Sequence, residues 1–308
     1  MKSFILWLLA LWSGILYSAT FKVNIVGIDA KSKVWSGKAM ISLVDKLSEA
    51  GIGAQIRSHF IPSPDKASID DYKIFIDNDP DYIIFMDDFH YHFFGPTLRT
   101  KTKAKIGFSS LYAPSSKFDK FDSSQQFGVI QAPSHRNFEL IRKYSKTSHF
   151  KMVGGPLAVN MGLRLEELAK QAGYKRVTID ITDRWYEFRQ HINSADKHTL
   201  TLILAPFSVY DNGQPVSDLE FADAINSCPS PSVTIKDIKH ADPLFTLTAS
   251  PDLLGETLAK SIITYIVKNK NPGIIDLFSS GLTISRSQAK LYIKEFNTPE
   301  VVGFFRHH

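Results

Sequence analysis

The chain has 308 residues, with 36 Lys and Arg against 31 Asp and Glu, a formal net charge of +5. The basic residues are scattered and acidic residues nearly match them, so runs such as Lys101, Lys103 and Lys105 read as solvated faces and no nucleic-acid partner is expected. The single Cys228 excludes an internal disulfide, and the length sits at the upper limit for one core, which predicts two lobes.

Lys2 is followed by FILWLLALWSGILY and then by Ser18 and Ala19. A positive residue, a short apolar run and small residues are the three parts of a secretory signal peptide. The run is shorter than the roughly 20 apolar residues that span a bilayer. Cleavage is expected after Ala19 or after Ser18, since Tyr17 stands where a small residue is preferred. An uncleaved N-terminal anchor is the alternative. The expected location is the periplasm, with the mature chain starting near Thr20.

From there strands and helices alternate. Phe21–Ile28 is an apolar, β-branched strand, followed by a helix with Ser36 as its cap and Met40, Leu43, Val44 and Leu47 on one face. Gly51 ends it, and Ala54–Ile61 is the next strand. Residues 68–78 read as helix with Ile69, Tyr72 and Ile76 inward. DYIIFM at 81–86 is the continuous apolar run of a strand buried on both faces. Lys105–Ser109 is another strand, and the aperiodic stretch 111–126 is an exposed loop.

A second series begins at Phe127–Gln131. It predicts helices at 135–145, 160–172 and 184–192, and strands at 150–153 and 176–181. The apolar run TLILAPF starting at Thr201 is the next strand. Ser217 and Glu220 have capping-box spacing and open a helix. Cys228 reads as a small apolar residue at its end. A strand at 232–238 follows. The tail departs from alternation, with a strand at 244–248, a helix at 252–267, a strand at 281–284 and a helix from Ser285 to about Phe296. Alternating elements imply α/β lobes, each a mainly parallel sheet flanked by helices.

Open α/β sheets bind ligands beyond the carboxyl ends of their strands. That rule selects Asp29 and Trp35 after the first strand. It selects Asp87, Asp88, Phe89 and His90 after the third, and Ser109 and Ser110 at the fourth. In the second series it selects Pro156 after Gly154 and Gly155, then Thr182 and Asp183, then Ser208, Tyr210 and Asp211. Singly, each of these residue types also suits a turn or a helix cap.

No nucleophile elbow or phosphate loop is present, Gly154 and Gly155 lack dinucleotide-fingerprint spacing, and no catalytic residue, cofactor or metal is expected. Adjacent Asp87 and Asp88 would point opposite ways on an extended segment. His90 and His92 would share one side of a strand and could hold zinc, but no third ligand can be named.

Four segments carry a family resemblance. They are FGVIQAPSHRNFELIRKYS, ILAPFSVYDNGQPV, LFTLTASPDLLGETLAKSIITYIVKNKNP and GLTISRSQAKLYIKEFNTP. Over roughly residues 21–300 the chain resembles the substrate-binding proteins of ABC-type transporters, in particular the uncharacterised family that includes tryptophan- and tyrosine-binding members. It departs from that family in having DDFHYHFF where a small-residue loop is usual, and SSLYAPSS in place of a short Asp-Pro element. The resemblance implies a two-lobed periplasmic-binding-protein-like fold of the class I type with a three-strand hinge. Lobe one would be 20–128 plus 249–277, and lobe two 129–248 plus 278–308.

The resemblance further implies a monomer that captures a small organic ligand between its lobes, closes by hinge motion and delivers the ligand to an ABC transporter permease. Asp211 would fix an amino group, Ser109 or Ser110 a carboxylate, and Trp35, Phe89 and Tyr210 would cover an apolar or ring-shaped part. A receptor of the same fold coupled to a membrane signalling protein is the alternative. An envelope enzyme with a weakly marked site also stays open.

Overall fold

The computed structural model describes residues 20–28, 33–61, 67–111, 122, 124–204, 208–235, 238–278 and 280–293. In chain order these form β1 (Phe21–Ile28), α1 (Lys33–Glu49), β2 (Ala54–Ile61), α2 (Tyr72–Ile76), β3 (Tyr82–Phe85), α3 (Asp88–Lys101), β4 (Lys105–Leu111) and β5 (Gln126–Ala132). Next come α4 (His135–Ser145), β6 (His149–Gly154), α5 (Val159–Gln171), β7 (Arg176–Ile181), α6 (Trp185–Asn193), β8 (Thr199–Ile203), β9 (Tyr210–Asp211), β10 (Gln214–Pro215), α7 (Asp218–Asn226) and β11 (Ser232–Thr234). The last are β12 (Phe245–Ala249), α8 (Pro251–Lys268), β13 (Ile274–Phe278), β14 (Ser280–Ile284) and α9 (Arg286–Tyr292). Among the described residues no helix is long and apolar enough to cross a membrane.

Two compact units divide the chain. It passes from the first to the second at Gln131–Ala132, returns at Ser250–Pro251 and leaves again at Leu277–Phe278. The first unit holds a sheet in the order β13-β5-β4-β3-β1-β2. From β2 across to β5 every pair is parallel, with Val23 opposite Ile56 and Tyr82, and Ile84 opposite Gly107. β3 is buried along its whole length, as its unbroken apolar run requires.

One face of this sheet packs on α1 and α8 through Val23, Ile25, Ile84, Leu43, Leu47, Leu258 and Ile262. Each such fully buried aliphatic side chain contributes about 1.5–3 kcal/mol. The helices meet at Gly255, where a Cβ would overlap the Ala39 carbonyl oxygen. On the other face an aromatic cluster forms. Phe75 meets Phe94 edge-on at 5.1 Å, and Tyr91 stacks on Phe108 at 4.2 Å.

The second unit holds the order β14-β12-β11-β8-β6-β7. It is parallel from β7 to β12 and closed by antiparallel β14. Val153, Trp185, Phe188, Ile192, Phe221 and Ile225 form a core beneath α6 and α7. Ser217 and Glu220 make the capping box expected of them, and Ser285 caps α9.

Several expectations are corrected. α1 begins at Lys33, so Ser36 lies inside it and is not its cap. The stretch 68–78 splits into a short 3-10 turn, capped by Ser68, and α2. Its fully buried residue is Phe75, while Ile69 is 44 % exposed, because a five-residue helix presents only one side chain squarely to the sheet.

DDFHYHFF is not a loop. Asp87 caps α3, and the buried positions His90, Tyr91, Phe94, Gly95 and Leu98 recur at helical spacing despite Pro96. The antiparallel pair β9–β10 and the strand β13 were not expected, and the strand starting at Ser232 stops at Thr234. The final helix stops at Tyr292, with Ile293 extended, short of the expected Phe296. Asp29 and most of the 111–126 stretch fall outside the described residues.

Candidate functional site

In the first unit, β4 runs past its neighbour β3. Phe85, the last residue of β3, lies opposite Phe108, so Ser109 and Ser110 project beyond it toward the carboxyl edge. Both serines are 1 % exposed, and neither hydroxyl oxygen has a hydrogen-bond partner. A hydroxyl buried without a partner costs about 1–3 kcal/mol, so each marks a place where a partner is missing. As neighbours on β4 the two point to opposite faces of the sheet.

Beside them, the backbone N–H of Met86 donates to the Val26 carbonyl at 2.8 Å, which extends the ladder by one residue before α3 starts. The Asp87 carboxylate then accepts from the backbone N–H of His90 at 2.8 Å and meets the His90 ring Nδ1 at 2.7 Å. That ring is 0 % exposed and lies parallel to Phe94, with centroids 6.3 Å apart. Asp87 and His90 therefore have a capping and packing role in this unit. Asp88 and Phe89, in the first turn of α3, are half-buried. Burial also holds the Tyr91 phenol up at about 12.

His92, two residues on along a helix, is exposed while His90 is buried. The shared face that an extended His-x-His would give does not exist. Among the described residues no three His, Cys, Asp or Glu side chains are placed to hold a metal. Trp35 lies in the first turn of α1, directly after the carboxyl end of β1.

In the second unit, backbone hydrogen bonds stitch three post-strand segments together. Leu204 N–H donates to Val153 at 2.9 Å, Thr182 N–H to Gly154 at 3.1 Å, and Tyr210 N–H to Asp183 at 2.8 Å. This brings Pro156, Thr182, Asp183, Tyr210 and Asp211 to one edge. Pro156 is exposed at the start of a 3-10 turn, and Tyr210 is 43 % exposed. Ser208 is half-buried with a left-handed φ of 64°.

Asp211 and Gln214 pair across a tight hairpin whose tip is Asn212 and Gly213, at φ 48° and 78°. Asn-Gly is the dipeptide that such a turn selects, because both tip residues need positive φ. The loop after β8 is thus a turn and also an exposed carboxylate held out at a fixed place.

Glu187 and Arg184, passed over in the sequence, complete this edge. Thr182 donates to the Glu187 carboxylate at 2.7 Å, and the same hydroxyl oxygen accepts from the Arg184 N–H at 3.1 Å. The Thr182 hydrogen bond, then the nearby Arg184 guanidinium, hold the Glu187 carboxyl below its usual range. In the first unit, Gln131, next to the last residue of β5, is fully buried opposite Leu111. An amide inside the apolar run FGVIQA was its only signal.

No family model matches the sequence, and no curated protein matches it. Solved structures do. A conserved domain protein from Vibrio cholerae superposes with a TM-score of 0.66 at 16 % identity, over 92 % of this chain and 98 % of that one. An ABC domain from Streptococcus pneumoniae in complex with L-Trp gives 0.66 at 14 %, over 92 % and 98 %. A dimeric Lac repressor gives 0.56 at 12 %, over 86 % and 98 %. The likeness shows the fold, a periplasmic-binding-protein-like α/β architecture with two mainly parallel sheets flanked by helices.

Proposed function

We propose that the chain is a solute-binding protein. It takes a small organic ligand, an amino acid or a similar compound, with groups at the carboxyl edges of its sheets and delivers it to an ABC transporter. The observation that carries this reading is the pair of buried, unpartnered hydroxyls of Ser109 and Ser110 at such an edge. One or the other suits an anionic or carbonyl group, while exposed Asp211 and Tyr210 suit an amine and an apolar part. The L-Trp complex of the Streptococcus structure supports the ligand class. The run after Lys2 supports export to the periplasm. No catalysis and no cofactor belong to this reading.

A thermal-shift screen against amino acids, sugars, small acids and peptides tests it. A ligand at about 100 times its Kd stabilises by about 2.7 kcal/mol, or roughly 2–4 °C per kcal/mol for a chain of this size. The expected hit is lost in Ser109→Ala, Ser110→Ala and Asp211→Asn, and the ligand is recovered unchanged. A flat screen on folded protein, or a hit indifferent to all three changes, overturns the assignment. The likeness to Lac repressors favours a second reading, a ligand-sensing receptor of the same fold. A neighbouring permease gene or sensor gene separates the two.

A further inference from the structure

The second unit carries a groove of about 520 Å³ lined by Glu139, Arg142, Lys143, Lys146, Thr147 and Ala172. It lies where α4 and α5 end and just before β6 starts, at the amino edge of the sheet and away from the carboxyl-edge residues above. Its three cations and one carboxylate, at positions 139, 142, 143 and 146, share one face of α4 and its cap. Lys143 and Lys146, in the last turn and at the cap of α4, also complement that helix's carbonyl end. Arg142 has a different function.

The Arg142 Nη1 donates to the Ala172 carbonyl at 2.9 Å, and its guanidinium sits 6.0 Å over the Tyr174 ring. A Cβ on Gly173 would overlap the same Nη1. The guanidinium is therefore pinned between the end of a second helix and a buried ring, yet among the described residues it has no acidic partner. Its remaining N–H donors are presented in a fixed fork, the arrangement that matches two oxygens of one phosphate. Lys143 likewise has no ion pair among the described residues, and its ammonium lies 5.4 Å over the Tyr144 ring.

We propose that this groove binds a multiply charged phosphate group, with Arg142 as the bidentate anchor and Lys143 and Lys146 as flanking charges. A single carboxylate would neutralise one of three cations. A diphosphate, or a phosphate-bearing headgroup, matches the set, and Glu139 weakens the site without cancelling it.

Titration of the purified chain at low salt with inorganic pyrophosphate, and with phosphatidic acid vesicles against phosphatidylcholine vesicles, tests the proposal. Saturable binding of pyrophosphate is expected, weakened about tenfold or more by Lys143→Gln and by Arg142→Gln, strengthened by Glu139→Gln, and reduced as salt screens the charges. Lys143→Gln leaves the Arg142 contacts intact, so its effect reports charge and not folding. Pyrophosphate binding assigns a soluble ligand. Binding only to phosphatidic acid vesicles, lost in the same variants, assigns a phosphomonoester headgroup. No binding to either, or binding indifferent to both neutralised cations, overturns the site.

Discussion

The ring Nδ1 of His90 lies 2.7 Å from the carboxylate of Asp87, one turn earlier, and the same carboxylate caps α3. One side chain thus satisfies a helix N-terminus and a buried imidazole together. Asp87→Ala should cost the cap, about 0.5–2 kcal/mol, and the hydrogen bond of a buried group, about 1–3 kcal/mol. Asp87→Asn keeps an oxygen for the cap and should cost less. Thermal denaturation of the two variants checks this. Equal losses would show that the cap oxygen retained by asparagine contributes nothing.

Gly255 lets α1 and α8 approach closely, since any Cβ there would strike the Ala39 backbone. Backbone cannot swing aside as a side chain can. Gly255→Ala should destabilise by at least the 1–3 kcal/mol typical of overpacking, despite alanine's better helix propensity. An unchanged unfolding midpoint in denaturant would show that the helices simply slide.

Lys151 on β6 reaches Asp180 on β7 at 3.0 Å and the Ser194 hydroxyl at 2.8 Å. Their side chains are only 10 % and 27 % exposed. Removing one partner of a fully buried pair costs about 3–5 kcal/mol, and the partial exposure of Asp180 reduces that here. Asp180→Ala should destabilise by about 2–4 kcal/mol, because it strands the more deeply buried charge. Lys151→Met leaves the more exposed Asp180 carboxylate behind and should cost less. Urea unfolding of both variants decides it, and the reverse order would refute the reasoning.

His149, between Thr178 and Thr199, and His59, against Phe75, both have lowered pKa values. Burial is the main cause for each, followed by Arg176 for His149 and Arg57 for His59. The unfolded chain therefore takes up these protons first as pH falls. Their contribution is fully present above about pH 6.5 and is lost as pH drops through the lower folded values. Tm should decline from about pH 7 toward pH 5, and the His59→Gln, His149→Gln double variant should decline less steeply. Equal slopes would place the pH sensitivity elsewhere.

Much of the fold was legible because local rules and packing agree. The apolar run DYIIFM is a strand wherever it is placed, and the spacing in α4 fixes its buried face at Phe138 and Ile141. The capping boxes at Ser68 and Ser217 are short-range hydrogen bonds that four residues specify, although only the second was read from the sequence. α3 was missed because DDFHYHFF stands where the resembling family has a loop after its third strand. Its helix is held by tertiary packing of Tyr91 and Phe94 against Phe108 and Phe75, and by the side chain of Asp87.

The site divides in the same way. The sequence determined which residues follow strand ends, since that needs only the order of elements along the chain. Only the tertiary structure decided which of those residues have a partner already. His90 has its Asp87, Thr182 has its Glu187, and the Ser109 and Ser110 hydroxyls have none. Hydrogen-bond satisfaction depends on neighbours distant in sequence and on exclusion of water, and neither is encoded in residue spacing.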